Sequence, residues 1–459
     1  MSTLAAAALT QSTEVRLVIA TLVGIALIVV LISKAHLHAF LALIIGSVVV
    51  GLLAGMPVDK VIKSFSSGVG STVASVGLLI ALGAMLGKLL ADSGGAEQIV
   101  DTILSRTSSK ALPWAMALIA ALIGLPMFFE IGLVMLIPVV LLVAKRSGRP
   151  LMLVGIPALA GLSVLHGLVP PHPGPLAAAG ALNASVGVVL GLGLLVAIPT
   201  LIIAGPLFGR LAARWVPEAN APEHLIPAAG GTEDERPRPS FGATLVTVLL
   251  PVVLMLGKAV ADLVAGSGNP VRRVLDFAGD PLIALLVAVL VGMFTLGRAA
   301  GFTRDRLSST ISGSLGPIAG IILIVAAGGG FKQILVDAGV GNVVTQLAQG
   351  AHIPALVLGW LVAVLIRLAT GSATVATVSA AGLVSGLAAT MPPTGAALMV
   401  LAVGAGSLFF SHVNDAGFWL VKEYFGLSVG QTIRSWSIME TVISVVAIAI
   451  ILPLGALLT

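Results

Sequence analysis

Four short tracts set polar or helix-breaking residues inside apolar surroundings: "PMFFEIG" (126–132), "HGLVPPHPGP" (166–175), "TGSATVAT" (370–377) and "SHVNDAGFW" (411–419). Proline lacks the amide donor and clashes with the preceding turn, so no ordinary helix continues through the second of them. Each tract offers its own chemistry. Glu130 is a carboxylate in an apolar setting, where desolvation works against the charged form and proton exchange becomes feasible. Its plainer role is to cap a helix or pair with a basic neighbour. In 370–377, Gly371 permits a tight reversal, and Ser372, Thr374 and Thr377 supply hydroxyls beside a helix start. Free amides and the positive helix end there favour a carboxylate ligand, although such hydroxyls also bond back to the preceding turn. Arg367, just ahead, can pair with an anionic substrate or with Glu130, snorkel, or sit in a fixed ion pair. Asn414 suits sugar hydroxyls because its amide both donates and accepts. Asp415 either takes a proton or locks the break by bonding free amides. His166, His172 and His412 titrate in the range that proton coupling needs, and equally suit the carbonyls that a break exposes.

Membrane helices must position these tracts. Mean hydropathy is +1.13, 58% of residues are hydrophobic and only 9% are charged, against about a quarter charged in soluble domains. Stretches such as "VRLVIATLVGIALIVVLIS" (15–33) and "TLVTVLLPVVLMLGKAVADLV" (244–264) approach the ~20 residues that cross a bilayer. The first lacks a basic flank and a cleavage site, and is expected to be a retained helix. With no cysteine there is no disulfide, thiol nucleophile or thiolate metal site, and no metal is expected. The net charge of +5 resides in short loops, as membrane orientation requires, which argues against nucleic acid and for a lipid bilayer as the partner. No HExxH, GxSxG or Walker A pattern occurs, so neither an enzyme nor an ATP-driven pump is expected. Broken helices favour alternating access over the fixed pore of a channel.

The fold class expected is an all-α polytopic membrane protein built as two inverted-topology repeats. The polar stretch 214–240 divides the chain. With Ser67-Gly68 set on Ser312-Gly313, Gly83 falls on Gly328, Asp92 on Asp337, Gly94 on Gly339 and Gly161 on Gly406. The helix-breaking tracts align in the same register. Basic loops then give orientation. Lys34 closes the first helix inside, and the third helix, about 70–90, ends near Lys88, Arg106 and Lys110. Segment 111–144, followed by "KRSGR" (145–149), has basic flanks on both sides and reads as a re-entrant hairpin opening inward. The expected domains are repeat 1 (14–210, inner hairpin 111–144, broken helix 151–182, last helix 184–208), a cytoplasmic linker (211–240) and repeat 2 (241–459). Repeat 2 holds helices at 241–262, 281–297 and 315–336, an outer hairpin at 354–389 and a broken helix at 394–425. Each repeat has about five transmembrane helices and one hairpin, and both termini are external. Non-helical backbone at membrane depth is tolerated only where protein buries it or water reaches it. The breaks therefore mark the expected site.

Three stretches, "GLVPPHPGPLAAAGALNASVG", "RLATGSATVATVSAAG" and "SHVNDAGFWLVKEYFGLSVGQTIRSWSIMET", closely resemble the gluconate:proton symporter family of bacterial permeases, over nearly the whole chain. The resemblance implies proton-coupled uptake of gluconate or a related sugar acid across the bacterial inner membrane. Relatives for fructuronate, idonate and D-serine make the substrate class a small hydroxylated carboxylate. It also implies membership of a wider ion-transporter group, with paired hairpins and an elevator-like motion. On this reading Gly371, Ser372, Thr374, Thr377, Asn414, His166 and Arg367 bind substrate, and Glu130, Asp415 and His172 carry coupling. No cofactor is expected beyond the coupling proton. Sodium coupling is the alternative, since unwound carbonyls with Asn, Ser and Thr also hold Na⁺. A homodimer is compatible with this plan. "KEYFGL" (422–427) reads as an interfacial anchor.

Overall fold

A computed structural model describes residues 2–126, 129–217, 219, 237–264, 269–340, 343, 353–412 and 415–458; Asn414, most of the linker and the side chain of Glu130 lie outside the described residues. Regular structure among the described residues is helical throughout. The helices are α1 (Ser2–Ser33), α2 (Ala39–Leu53), α3 (Val58–Asp92), α4 (Gly95–Ser105), α5 (Leu112–Gly124), α6 (Phe129–Ser147), α7 (Leu151–Leu168), α8 (Pro173–Ala181) and α9 (Val186–Trp215). After the linker come α10 (Phe241–Val264), α11 (Pro270–Ala278), α12 (Pro281–Arg298), α13 (Arg304–Gly313), α14 (Leu315–Asp337), α15 (Ala355–Thr370), α16 (Ala373–Ala388), α17 (Pro393–Ser407), α18 (Ala416–Tyr424) and α19 (Val429–Leu458). Among the described residues, eight helical stretches are long and apolar enough to cross a bilayer. Val246, Val253 and Val260 of α10 are exposed on one face, as a lipid-facing stripe requires. The interrupted stretch Leu151–Ala181 is instead buried over most of its length. Its break is enclosed by protein.

Small residues explain the packing. α5 pairs with α7 and α15 with α17, each at a glycine. A Cβ on Gly161 would lie 2.9 Å from the carbonyl oxygen of Ala117, and one on Gly406 2.3 Å from that of Trp360. The two positions that coincide in the sequence register thus make the same backbone approach. Asp92 and Asp337 behave alike too. Asp92 accepts from Lys88 at 2.7 Å and Thr310 at 3.4 Å; Asp337 accepts from Gln333 at 2.8 Å and Ser64 at 2.5 Å. Each ties the end of its helix to the other half of the chain. Gly94 and Gly339 follow them with φ of +76° and +81°, the left-handed turn that glycine adopts without strain.

Several boundaries move. The third helix begins at Val58, not near residue 70, because polar "VDKVIKSFSSGVGST" is an amphipathic helix that continues through a π turn at Val73–Gly77. The helix expected at 184–208 runs to Trp215 through a π turn at Ile203–Leu207, and α14 is preceded by helical α13. In each case charged or hydroxyl residues extend a helix beyond its apolar portion, where hydropathy loses sight of it.

Candidate functional site

α15 and α16 form a hairpin whose reversal is Gly371, in the left-handed region with φ +72°. Ser372 caps α16, its hydroxyl accepting from the Val375 amide at 3.3 Å. α7 and α8 are separated by the proline tract, and α17 and α18 by residues 408–415. The two interrupted helices cross immediately before their breaks: a Cβ on Gly404 would sit 2.1 Å from the Gly167 carbonyl oxygen. Between them and the hairpin tip lies a cavity of about 280 Å³, near the lower end of the ~300–1,000 Å³ typical of small-ligand sites. His166, Arg367, Ser372, Thr374, Asp415 and Glu440 supply much of its polar wall, and Phe129, Leu408 and Trp436 its apolar wall.

Electrostatics centre on Arg367, which is 3% exposed. Its Nη1 donates to the Gly371 carbonyl at 2.6 Å, and its Nη2 donates to Asp415. Its Nε is buried with no partner among the described residues. Asp415 also accepts from the Ser411 hydroxyl and, at 2.9 Å, from the Gly417 amide, so it caps α18. Ser411 in turn accepts from Trp436 Nε1 at 2.7 Å. Two helix starts therefore face the cavity under different caps. The α18 start already holds a carboxylate, whereas the α16 start holds only a neutral hydroxyl. The positive end of α16 is therefore not offset by a carboxylate cap.

The sequence candidates separate accordingly. His166, Arg367, Gly371, Ser372, Thr374 and Asp415 come together around the cavity. Thr377 does not line it: its hydroxyl bonds back to the Ala373 carbonyl at 2.9 Å, and it packs where Gly174 lets α8 approach. His172 is also off the cavity. Its Nε2 meets the Gly124 carbonyl at 2.7 Å, and His412 Nε2 meets the Leu368 carbonyl at 3.1 Å. Each break thus lends a histidine to a carbonyl near the end of a neighbouring helix, α5 for His172 and α15 for His412. Arg367 is paired with Asp415, 48 residues away, and Asp415 locks the break. Asn414 and the Glu130 side chain fall outside the described residues.

Sequence reasoning missed Glu440. This carboxylate is 1% exposed, lines the cavity and accepts from Ser163 Oγ at 2.5 Å. It stands in the third turn of α19, shortly after a π turn at Ile433–Ser437 that also carries Trp436. A carboxylate within an apolar helix was itself the available signal.

Comparison with known proteins agrees with this architecture. The YdaH transporter of Alcanivorax borkumensis, whose crystal structure is described as having an unusual topology, superposes with a TM-score of 0.66, covering 91% of this chain and 98% of that one at 18% identity. At that identity the likeness concerns the fold alone. A gluconate permease of Pseudomonas aeruginosa is 50% identical over 98% of this chain and 99% of its own length. A high-affinity gluconate transporter of Escherichia coli is 44% identical over 92% of this chain and 95% of its own length, and the Gnt-II system L-idonate transporter of the same organism 42% over 95% and 98%. Residues 16–458 match the GntP family permease. A multi-pass helical membrane protein with a polar cavity where its helices break, and similar to these transporters over nearly its full length, this chain belongs to the GntP family of permeases.

Proposed function

We propose that this chain is a secondary active transporter that takes up gluconate, or a related small hydroxylated carboxylate, together with a proton by alternating access. The observation that carries the reading is the cavity where both broken helices and a hairpin tip meet. It offers an anion the positive end of α16 and the guanidinium of Arg367 on its wall. Ser372 and Thr374 supply polar groups that would match a chain of hydroxyls. The names of the relatives support gluconate as substrate. The matched contacts at Gly161 and Gly406, and the reciprocal ties of Asp92 and Asp337, support two repeats. With the loop charges, the repeats are read as inverted around the cavity, the plan that suits an elevator-like exchange of access.

Radiolabelled gluconate uptake into proteoliposomes tests this. An inwardly directed proton gradient is expected to drive accumulation, while a sodium gradient at equal pH does not. Excess unlabelled idonate is expected to compete. Accumulation under sodium alone would transfer the coupling to Na⁺, and no uptake under either gradient would remove the function.

A further inference from the structure

We propose that Glu440 is the residue that binds the co-transported proton, so that the cavity accepts an anionic substrate only when this carboxylate is neutral. The inference rests on the reading of the cavity as the substrate site.

The charged and titratable side chains lining the cavity among the described residues are Arg367 from α15, Asp415 from the second break, His166 from α7 and Glu440 itself from α19. Of the other helices packed against α19, α17 brings no ionisable residue, α9 carries Arg210 and Arg214 only in its last turns, and α18 carries Lys422, Glu423 and Tyr424 at its end; none of these lines the cavity, nor does Arg434 of α19 itself. Arg367 and Asp415 satisfy one another. Three donors converge on Asp415: the guanidinium, the Ser411 hydroxyl and the Gly417 amide. Each of them requires an acceptor, and the Asp415 carboxylate supplies it.

Glu440 has a different setting. Its described partner is one hydroxyl, Ser163. A hydroxyl can donate to a carboxylate or turn and accept from a carboxylic acid, so this contact survives protonation. When the cavity is empty of substrate, an ionised Glu440 leaves one net negative charge beside the balanced Arg367–Asp415 pair. Entry of a carboxylate substrate would then enclose two like charges in a cavity of about 280 Å³, and two carboxylates sharing a buried site do not both stay ionised. A proton taken up by Glu440 restores the balance. One anion and one proton then move together with no net charge.

Linkage makes this measurable. Proton and gluconate must each tighten the other's binding. Above the pH at which free Glu440 ionises, the gluconate Kd of the wild-type protein should weaken about tenfold per pH unit. We would measure radiolabelled gluconate binding to the purified protein between about pH 5 and 9. Glu440→Gln is expected to bind gluconate with a Kd that no longer depends on pH, and in proteoliposomes to exchange gluconate without concentrating it under a proton gradient. Ser163→Ala, which keeps the carboxylate but removes its donor, is expected to retain the slope and move its onset to higher pH. His166→Gln is expected to keep the slope. A pH slope in Glu440→Gln like that of the wild type, or proton-driven accumulation by that variant, overturns the proposal. So does a flat profile in Glu130→Gln with a sloped one in Glu440→Gln, which would assign the proton to Glu130. If Glu440→Gln does not insert, an unmoved onset in Ser163→Ala overturns it instead. Wild-type protein that binds no gluconate would strike the functional reading rather than Glu440.

Discussion

Arg367→Ala is expected to abolish gluconate uptake and to lower the stability of the protein by roughly 3–5 kcal/mol, the cost of leaving a buried charge without its partner. The residue is enclosed in α15, and its guanidinium joins the hairpin reversal to the second break through Gly371 and Asp415. Truncation leaves Asp415, whose side chain is 15% exposed, as an uncompensated charge. It also frees the hairpin tip from the break. Arg367→Lys keeps the charge but cannot reach both partners with one planar fork, and should retain little transport. The double variant Arg367→Ala/Asp415→Ala separates structure from function. Removing both charges relieves the unpaired carboxylate, so thermal unfolding in detergent should recover part of the loss. Uptake should stay absent, because the cation facing the substrate is gone. Recovery of uptake in the double variant would reduce Arg367 to a structural residue.

Gly404→Ala is expected to have a comparable effect from outside the cavity wall. The added Cβ would stand 2.1 Å from the Gly167 carbonyl oxygen, and a backbone atom cannot rotate away as a side chain does. Gly193 meets the next carbonyl, that of Leu168, at 2.4 Å on the same terms, so the crossing is confined from a second side. Forcing an atom into such a contact costs about 1–3 kcal/mol, and more where the backbone must move. Here the movement displaces both breaks at once. Loss of uptake with a lowered melting temperature is the expected result. Gly316→Ala, where a Cβ meets nothing within 4 Å, should behave as wild type. A Gly404→Ala protein that transports normally would show that the two breaks do not need this crossing.

How far the site could be read in advance depended on what marks it chemically. Helix breaks announce themselves through proline and glycine, so the tracts at 166–175, 370–377 and 411–419 pointed to the region where the cavity lies. Partners announce nothing. Arg367 and Asp415 are brought together by the close pairing of α15 with α17, which rests on Gly406, and no local pattern encodes that distance. Thr377 offers a hydroxyl in the sequence, but inside the helix it has the Ala373 carbonyl within reach and takes it. The histidines of the breaks suit either proton coupling or the carbonyls that a break exposes, and residue type alone does not choose between them. His172 meets the Gly124 carbonyl and His412 the Leu368 carbonyl, contacts that only packing creates. Glu440 carries no such mark, because it lies within a continuous helix. Its neighbours Ile438, Met439, Thr441 and Val442 read as one more membrane span, and only packing against Ser163 turns it toward the cavity.

The most direct test of the cavity as the gluconate site uses the absence of native cysteine. Thr374→Cys places a single thiol on the cavity wall, in the first turn of α16. Its rate of modification by a small, membrane-permeant thiol reagent would be measured in proteoliposomes, with and without saturating gluconate. The cavity account predicts protection that follows the concentration dependence of uptake, with none from an uncharged polyol such as sorbitol. Full reactivity at gluconate concentrations that saturate transport would place the substrate elsewhere and contradict the account.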